Sequence, residues 1–355
     1  MIEQYTITTT PKYNFPHPTT DTTLPQRLIE LSIHSLKTAV NTNPFQLNQQ
    51  TIQHPFNNHT RLNLKPIPLS PKHDATTVAA IDTSSMKIGE TATGMLIAIR
   101  GATVWKQKSN YRYLRIGPFM LHITEENKTE VYNTLQKAYS NTQNENQHQN
   151  LQNHQIPTRL ANLLEKWLQT TLSKTLKDGV ILFDGSLTAG TPDTPTSLMK
   201  EILNNARARG NVALAFSKMT TLRINGILIT DLTLEHKPPY LLEAEGLHAK
   251  PPTVMLGEVY IAKLTSGNYA FRLDIDKEVP PEQRTEAVER LLGNDSLSQG
   301  YPETLRLAHI LCTFTANEVI AMQHFATRNY RLKLVNRPNM HKLLFGPFGK
   351  GENTS

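Results

Sequence analysis

A chain of 355 residues with 38% hydrophobic side chains and a mean hydropathy of -0.41 can bury a substantial core, and no apolar run approaches the ~20 residues a membrane-spanning helix needs. Its single cysteine, Cys312, excludes an internal disulfide framework and a cysteine-rich zinc site. A formal charge of +7, from 37 Lys plus Arg against 30 Asp plus Glu, is compatible with a polyanionic partner without requiring one.

The opening "MIEQYTITTTPKYNFPHP" has neither the basic start nor the apolar centre of a signal peptide, so a cytoplasmic location and no membrane contact are expected. A Thr- and Pro-rich arm leads to residues 24–41, where Leu28, Ile29, Leu31, Ile33, Leu36 and Val40 recur at helical spacing. Residues 42–75 are rich in Asn, Gln, Thr, His and Pro without a period and read as irregular connection, so 1–75 form an N-terminal extension. Order is expected from "TTVAAIDTSS", a short apolar run ending in Asp82, followed by "TATGMLIAIRGATVW" and "YRYLRIGPFMLHIT". The β-branched and aromatic content of these runs predicts three successive, mostly antiparallel strands.

A helix is predicted over "EENKTEVYNTLQKAYSN". The amide-rich tract at 142–155 then reads as a solvated insertion, whose His148 and His154 are the candidates for any metal there. Helical period returns at "PTRLANLLEKWLQTTLSKTL" and leads into the strand "GVILFD", a helix through "TSLMKEILNNARARG" and the strand "NVALAFSK". Strand, crossover helix and parallel strand put strand ends on one sheet edge. The segment "KPPYLLEAEGLHAKPP" reads as turn-rich. Two strand candidates follow, "TVMLGEVYIAKL" and "NYAFRLDID", then a helix near 281–292 and two C-terminal helices. Three strands, helices, a strand, a helix and a strand is the order of a ribonuclease H-like α/β domain: a mixed sheet flanked by helices.

Asp82 and Asp184 share a context, an apolar run and then Asp followed by small hydroxylated or Gly residues. Two carboxylates at neighbouring strand ends repel unless a cation compensates them, and hard divalent ions take such oxygen ligands. The same residues could instead cap the turns that follow. Glu165 borders the apolar face of its helix and could aim across the crevice mouth, or be solvated. Lys218, ending the strand "LAFSKMT", could contact a phosphate. His309, amid apolar helical positions in "LRLAHILC", could be a core histidine or a ligand. Trp105, Tyr111, Tyr113 and Tyr240 could stack on bases or pack in the core, and Arg207 and Arg209 could contact phosphate or a helix end. Cys312 reads as a small buried hydrophobe.

The strand "VAAIDTSS", the strand and turn "VILFDGSL", the strand end "LAFSKMT", the strand "FRLDI" and the C-terminal "GYPETLRLAHILC", in this order, resemble the NurA family of archaeal and bacterial nucleases over about residues 76–328. Thr83 stands where that family often has glycine. The resemblance implies a nuclease domain at 76–328 with a tail at 329–355, and a manganese-dependent site, with magnesium as the other candidate. It implies internal cutting of single-stranded DNA and degradation of DNA from the 5′ end. It also implies a homodimer that works with the hexameric HerA-type translocase in DNA end resection for double-strand break repair. By motif match, Asp82, Glu165, Asp184 and His309 would be the metal ligands, and Lys218 a phosphate contact. The competing expectations are a DNA-binding adaptor for the translocase with weak catalysis, and an Argonaute-like protein acting on RNA.

Overall fold

The computed structural model describes residues 2–6, 23–38, 61–62, 65–140, 152–224, 227–233, 236–247 and 249–335. After α1 (Thr23–Thr38) come three long strands, β1 (Val78–Glu90), β2 (Gly94–Gln107) and β3 (Asn110–Thr124), then α2 (Lys128–Ser140) and α3 (Ile156–Thr175). The alternating half follows: β4 (Val180–Asp184), α4 (Thr196–Ala208) and β5 (Val212–Ser217). The chain continues through β6 (Tyr240–Glu245), β7 (Gly257–Lys263) and β8 (Phe271–Asp276) to α5 (Pro281–Asn294), α6 (Glu303–Cys312) and α7 (Ala316–Tyr330).

The main sheet runs β3-β2-β1-β4-β5-β8-β7-β6, with Ile2–Thr6 beside β3, and Arg61–Leu62 and Ile67–Pro68 against β6. β1, β2 and β3 are antiparallel neighbours, whereas β1, β4 and β5 pair in parallel. This 3-2-1-4-5 order, with right-handed crossovers expected between the parallel strands, is the ribonuclease H-like arrangement. β8, β7 and β6 extend it as an antiparallel flank.

Both faces of the central strands are covered, which is why "VAAI" and "VILF" are continuous apolar runs rather than alternating ones. Ala79, Ile81, Ile181 and Phe183 pack against α1, α2, α3 and α4, while Val78, Ala80, Val180 and Leu182 pack against α5 and α6. Each such aliphatic side chain contributes about 1.5–3 kcal/mol by leaving water. A third cluster, with Leu36, Ile88, Leu96, Met120, Phe314 and Met322, docks α7 at the far end of the long strands. α3 lies close on the sheet at Gly101, where a Cβ would fall 2.6 Å from Leu168 Cδ1.

Two expectations are corrected. The first acidic strand does not end at Asp82: β1 runs on to Glu90, because beyond Ile81 it loses β4 but keeps pairing with β2. The segment read as turn-rich contains β6, whose "YLLEAE" pairs with β7 immediately after Pro238 and Pro239. Residues 7–22 and 39–60, most of the amide-rich tract with His148, and 336–355 lie outside the described residues. His154 is exposed in a single 3-10 turn, Asn153–Gln155. No described helix is long and apolar enough to cross a membrane.

Candidate active site

β4 stops at Asp184 because Gly185 turns the chain at φ +100, a conformation that favours glycine. The turn is tied down on both sides. Gly185 N–H donates to Phe216 O at 2.8 Å, and Ser217 Oγ donates to Gly185 O at 2.7 Å. Leu187 N–H donates to Asp274 Oδ2 at 3.0 Å, and Asp274 is gripped by Arg272 at 2.6 and 2.7 Å. The "FRLDI" strand therefore supplies a buried ion pair that holds the loop after Asp184. A Cβ built on Gly185 meets nothing within 4 Å, so the space over the turn is open to a ligand.

Asp82 stands beside this turn. Its Oδ1 accepts Thr83 N–H at 2.7 Å, and its Oδ2 lies 2.7 Å from His309 Nδ1 and 3.9 Å from Lys218 Nζ. Lys218 reaches Asp184 Oδ2 at 2.8 Å, so one ammonium is shared between two carboxylates. Burial pushes the Asp82 carboxyl above its ordinary value, and repulsion from Asp184 adds to this, against the opposing pull of His309 and Lys218. His309 is half exposed on α6 rather than in the core, while Leu305, Ala308 and Cys312 form the buried side of that helix.

Glu165 comes from α3, on the side of the sheet that also receives Thr83, whose hydroxyl donates to Ala161 O at 3.3 Å. It is not solvated: its side chain is 18% exposed. Gln169 Nε2 donates to Glu165 Oε1 at 2.7 Å, and Lys166 Nζ donates to Gln169 Oε1 at 2.9 Å. Burial raises the Glu165 pKa, Lys166 opposes the shift, and the charges of Asp82 and Asp184 add to it. The structure thus brings together Asp82, Asp184, Lys218 and His309 in direct contact, with Glu165 in their field.

Tyr301 completes the cluster and was not singled out from sequence. It is 8% exposed, its ring centroid lies 5.4 Å from Phe271 and 6.1 Å from Phe216, and Lys218 Nζ sits 5.8 Å from its ring centroid. Burial and then the Asp184 charge push the phenol above its usual range, although its hydroxyl completes no well-formed hydrogen bond. The only signal for it was its place in "GYPET".

The donor set suits a hard divalent cation: carboxylates from Asp82, Asp184 and Glu165 with the His309 imidazole, the Asp82 and Glu165 carboxyls raised in pKa first by burial. Among the described residues, Asp82, His309 and Cys312 are the one group of three whose ligand atoms all lie within 4.8 Å of one another. Burial pushes the Cys312 thiol up and its S–H donates to His309 O at 3.2 Å, so it enters this site as a protonated packing group.

The remaining sequence candidates have structural roles. Tyr113 and Tyr240 are buried in the core, and Tyr111 donates to Asp295 Oδ1 at 3.2 Å beneath Lys106. Trp105 packs half-buried against the α3 side of the core. Arg207 pairs with Asp276 and Asn204, and Arg209 is exposed after α4.

No protein-family model and no curated protein matches the chain. Among solved structures, the chain is similar to the NurA nuclease from Sulfolobus solfataricus, with a TM-score of 0.49 and 15% identity over 74% of this chain and 88% of that one. A second NurA crystal structure gives 0.39 and 10% over 75% of this chain and 92% of that one. An A. aeolicus Argonaute gives 0.25 and 11% over 70% of this chain and 29% of that one.

Proposed function

We propose that this protein is a metal-dependent deoxyribonuclease, cutting single-stranded DNA internally and degrading DNA from the 5′ end. The observation that carries the reading is the pairing of Asp82 and Asp184 at one edge of the sheet, bridged by Lys218 and flanked by His309. A bound Mn²⁺ or Mg²⁺ would supply Lewis-acid activation of the attacking water and neutralise charge building on the scissile phosphate. Asp82, Asp184, Glu165 and His309 are the residues that would hold it.

The chain's own groups do the rest. The open side of Gly185 admits the phosphate to the carboxylate edge. Lys218 is held in place by two aspartates and presents a cation to the developing negative charge. Tyr301 sets a buried hydroxyl beside Asp184, where it bears on the position of that carboxylate. Asp274 and Arg272 fix the loop that carries Asp184.

The partner assignments follow the motif resemblance: a homodimer acting with a HerA-type hexameric translocase in DNA end resection. The test is cleavage of end-labelled single-stranded DNA in Mn²⁺ by the wild type, by Asp184→Asn, and in EDTA. Cutting by the wild type alone supports the reading, and the label reports polarity. Binding without cutting, even with the translocase added, would replace it with the adaptor reading. Cutting of RNA in preference to DNA would favour the Argonaute-like alternative.

A further inference from the structure

The sheet face that carries Asp82 also carries a second charged site. Arg115 on β3 is paired with Ala102 on β2, and Ala102 with Asp82 on β1, so the three residues form one row with side chains on one face. Two strand spacings separate the backbones of Asp82 and Arg115 by about 10 Å. Arg100 stands opposite Ser84, one same-face step of about 7 Å along β2 from that row.

Both guanidiniums converge on one carboxylate. Arg100 Nη2 lies 2.7 Å and Arg115 Nη2 2.9 Å from Glu318 Oε1, two cations on a single anion. Arg100 is 2% exposed, gives Nη1 to Thr313 O at 3.1 Å and stacks 4.4 Å over the Phe314 ring. Its Nε, equally buried, has no hydrogen-bond partner. Together with Pro118, Ala321 and Met322 these three charged residues line a cavity of about 310 Å³.

We propose that this cavity is a subsite for a phosphate of the DNA strand whose scissile phosphate lies at the acidic cluster, with Arg115 as its donor and Arg100 as the buried charge behind it. The inference rests on the nuclease reading for its ligand. Two observations select a phosphate oxyanion. The lining carries one positive charge more than Glu318 neutralises. Arginine's planar donor fork matches phosphate, and the volume is that of a small ligand pocket rather than a packing gap. The distance from Asp82 is short enough for one strand to occupy both places.

Binding of a fluorescein-labelled single-stranded oligonucleotide, followed by anisotropy in EDTA across about 50–200 mM salt, tests this without cleavage. Arg115→Met removes the more accessible guanidinium. Ala321→Glu puts a carboxylate at the cavity from an exposed position on α7 and touches neither arginine, so it guards against a folding artefact. Each variant is expected to weaken DNA binding about tenfold, and Arg115→Met to lower the salt slope by about 1. Wild-type affinity and slope in both variants would overturn the proposal. Inorganic phosphate, titrated calorimetrically into the wild type and Arg115→Met, separates the two sources of the oxyanion. Loss of phosphate binding with DNA binding unchanged assigns the cavity to free phosphate and also overturns the proposal. Because the readout needs no turnover, weakened binding in the variants supports the subsite even where the wild type cuts nothing, and only the nuclease reading then fails.

Discussion

Asp82 and Asp184 follow directly on Ile81 and Phe183, the last parallel pair between β1 and β4, so the two carboxylates stand side by side where the strands part. Lys218 bridges them, 2.8 Å from Asp184 and 3.9 Å from Asp82, and the Asp82 pKa is raised by burial and by Asp184. Two anions held together against repulsion are a site whose stability is subordinate to its use.

A divalent cation that binds only the folded state should therefore stabilise the protein. At a hundred times its Kd the gain is about 2.7 kcal/mol, read as a rise of a few degrees in Tm on adding Mn²⁺ and its reversal by EDTA. Asp184→Asn should abolish that shift and lower cleavage roughly a hundredfold or more. Its unfolding free energy without metal should stay within about 1 kcal/mol of the wild type, since a repulsion and a partly exposed ion pair disappear together. An undiminished Mn²⁺ shift in Asp184→Asn would move the metal away from this pair.

Tyr301→Phe keeps the ring contacts to Phe216 and Phe271 and removes only a hydroxyl that completes no hydrogen bond within the protein. Stability should be unchanged or slightly higher, because a buried unpaired polar atom is lost. Single-turnover cleavage should fall about ten- to a hundredfold, the effect of an Asp184 carboxylate shifted from its reactive position. Equal rates in Tyr301→Phe and the wild type would reduce Tyr301 to a packing residue.

How far the sequence carried this architecture depended on how local each feature is. The apolar runs "VAAI" and "VILF" and the crossover between β4 and β5 were legible because a strand buried on both faces announces itself in consecutive residues. The position of Asp82 within β1 was not, because the strand outlives β4 by pairing with β2 alone, a fact of tertiary partnership. Whether Glu165 and His309 face the site or not stayed open in the sequence: helical periodicity locates a face to within a residue, and the close seating of α3 at Gly101 decides which side of Leu164 points inward. Tyr301 reaches the site through a two-residue strand, Tyr301–Pro302, that carries no periodic signal. Arg100 was not singled out from the sequence, because its partner Glu318 lies 218 positions away on another element.

Glu318 links that arginine to the capping of α7. Its Oε2 accepts Thr315 N–H at 2.9 Å, and Thr315 Oγ1 accepts Glu318 N–H at 3.3 Å. Glutamine also serves at this capping position, so Glu318→Gln removes the charge and leaves the cap. The buried Arg100 then loses its counter-ion, and unfolding stability at neutral pH should fall by about 3 kcal/mol. The Arg100 hydrogen bond holds the Glu318 carboxyl down to about 2 from an ordinary 4.5. Its contribution is therefore fully present above 4.5 and lost as the pH falls towards 2. Urea unfolding of both proteins should show the gap between them closing across that window, and a gap independent of pH would show that the ion pair is not its source.

His122 adds acid sensitivity of the same sign in a higher pH window, and it does so between α1 and β3. The ring is 0% exposed, its Nε2 lies 2.8 Å from Thr91 Oγ1, and its Nδ1 has no hydrogen-bond partner. Its backbone N–H donates to Ser35 Oγ of α1 at 2.7 Å. Burial pushes the imidazole down to about 4 from 6.5, so it stays neutral in the folded chain while the unfolded chain takes up the proton. The neutral ring's stability is then complete above 6.5 and is drained as the pH falls from 6.5 to about 4. The total is about 3 kcal/mol, at 1.36 kcal/mol for each pH unit of that interval. His122→Gln, which retains a polar atom for Thr91, should flatten unfolding stability against pH by one proton over this range. If the slope is the same with and without the imidazole, acid acts elsewhere and His122 is already accessible to protonation in the folded state.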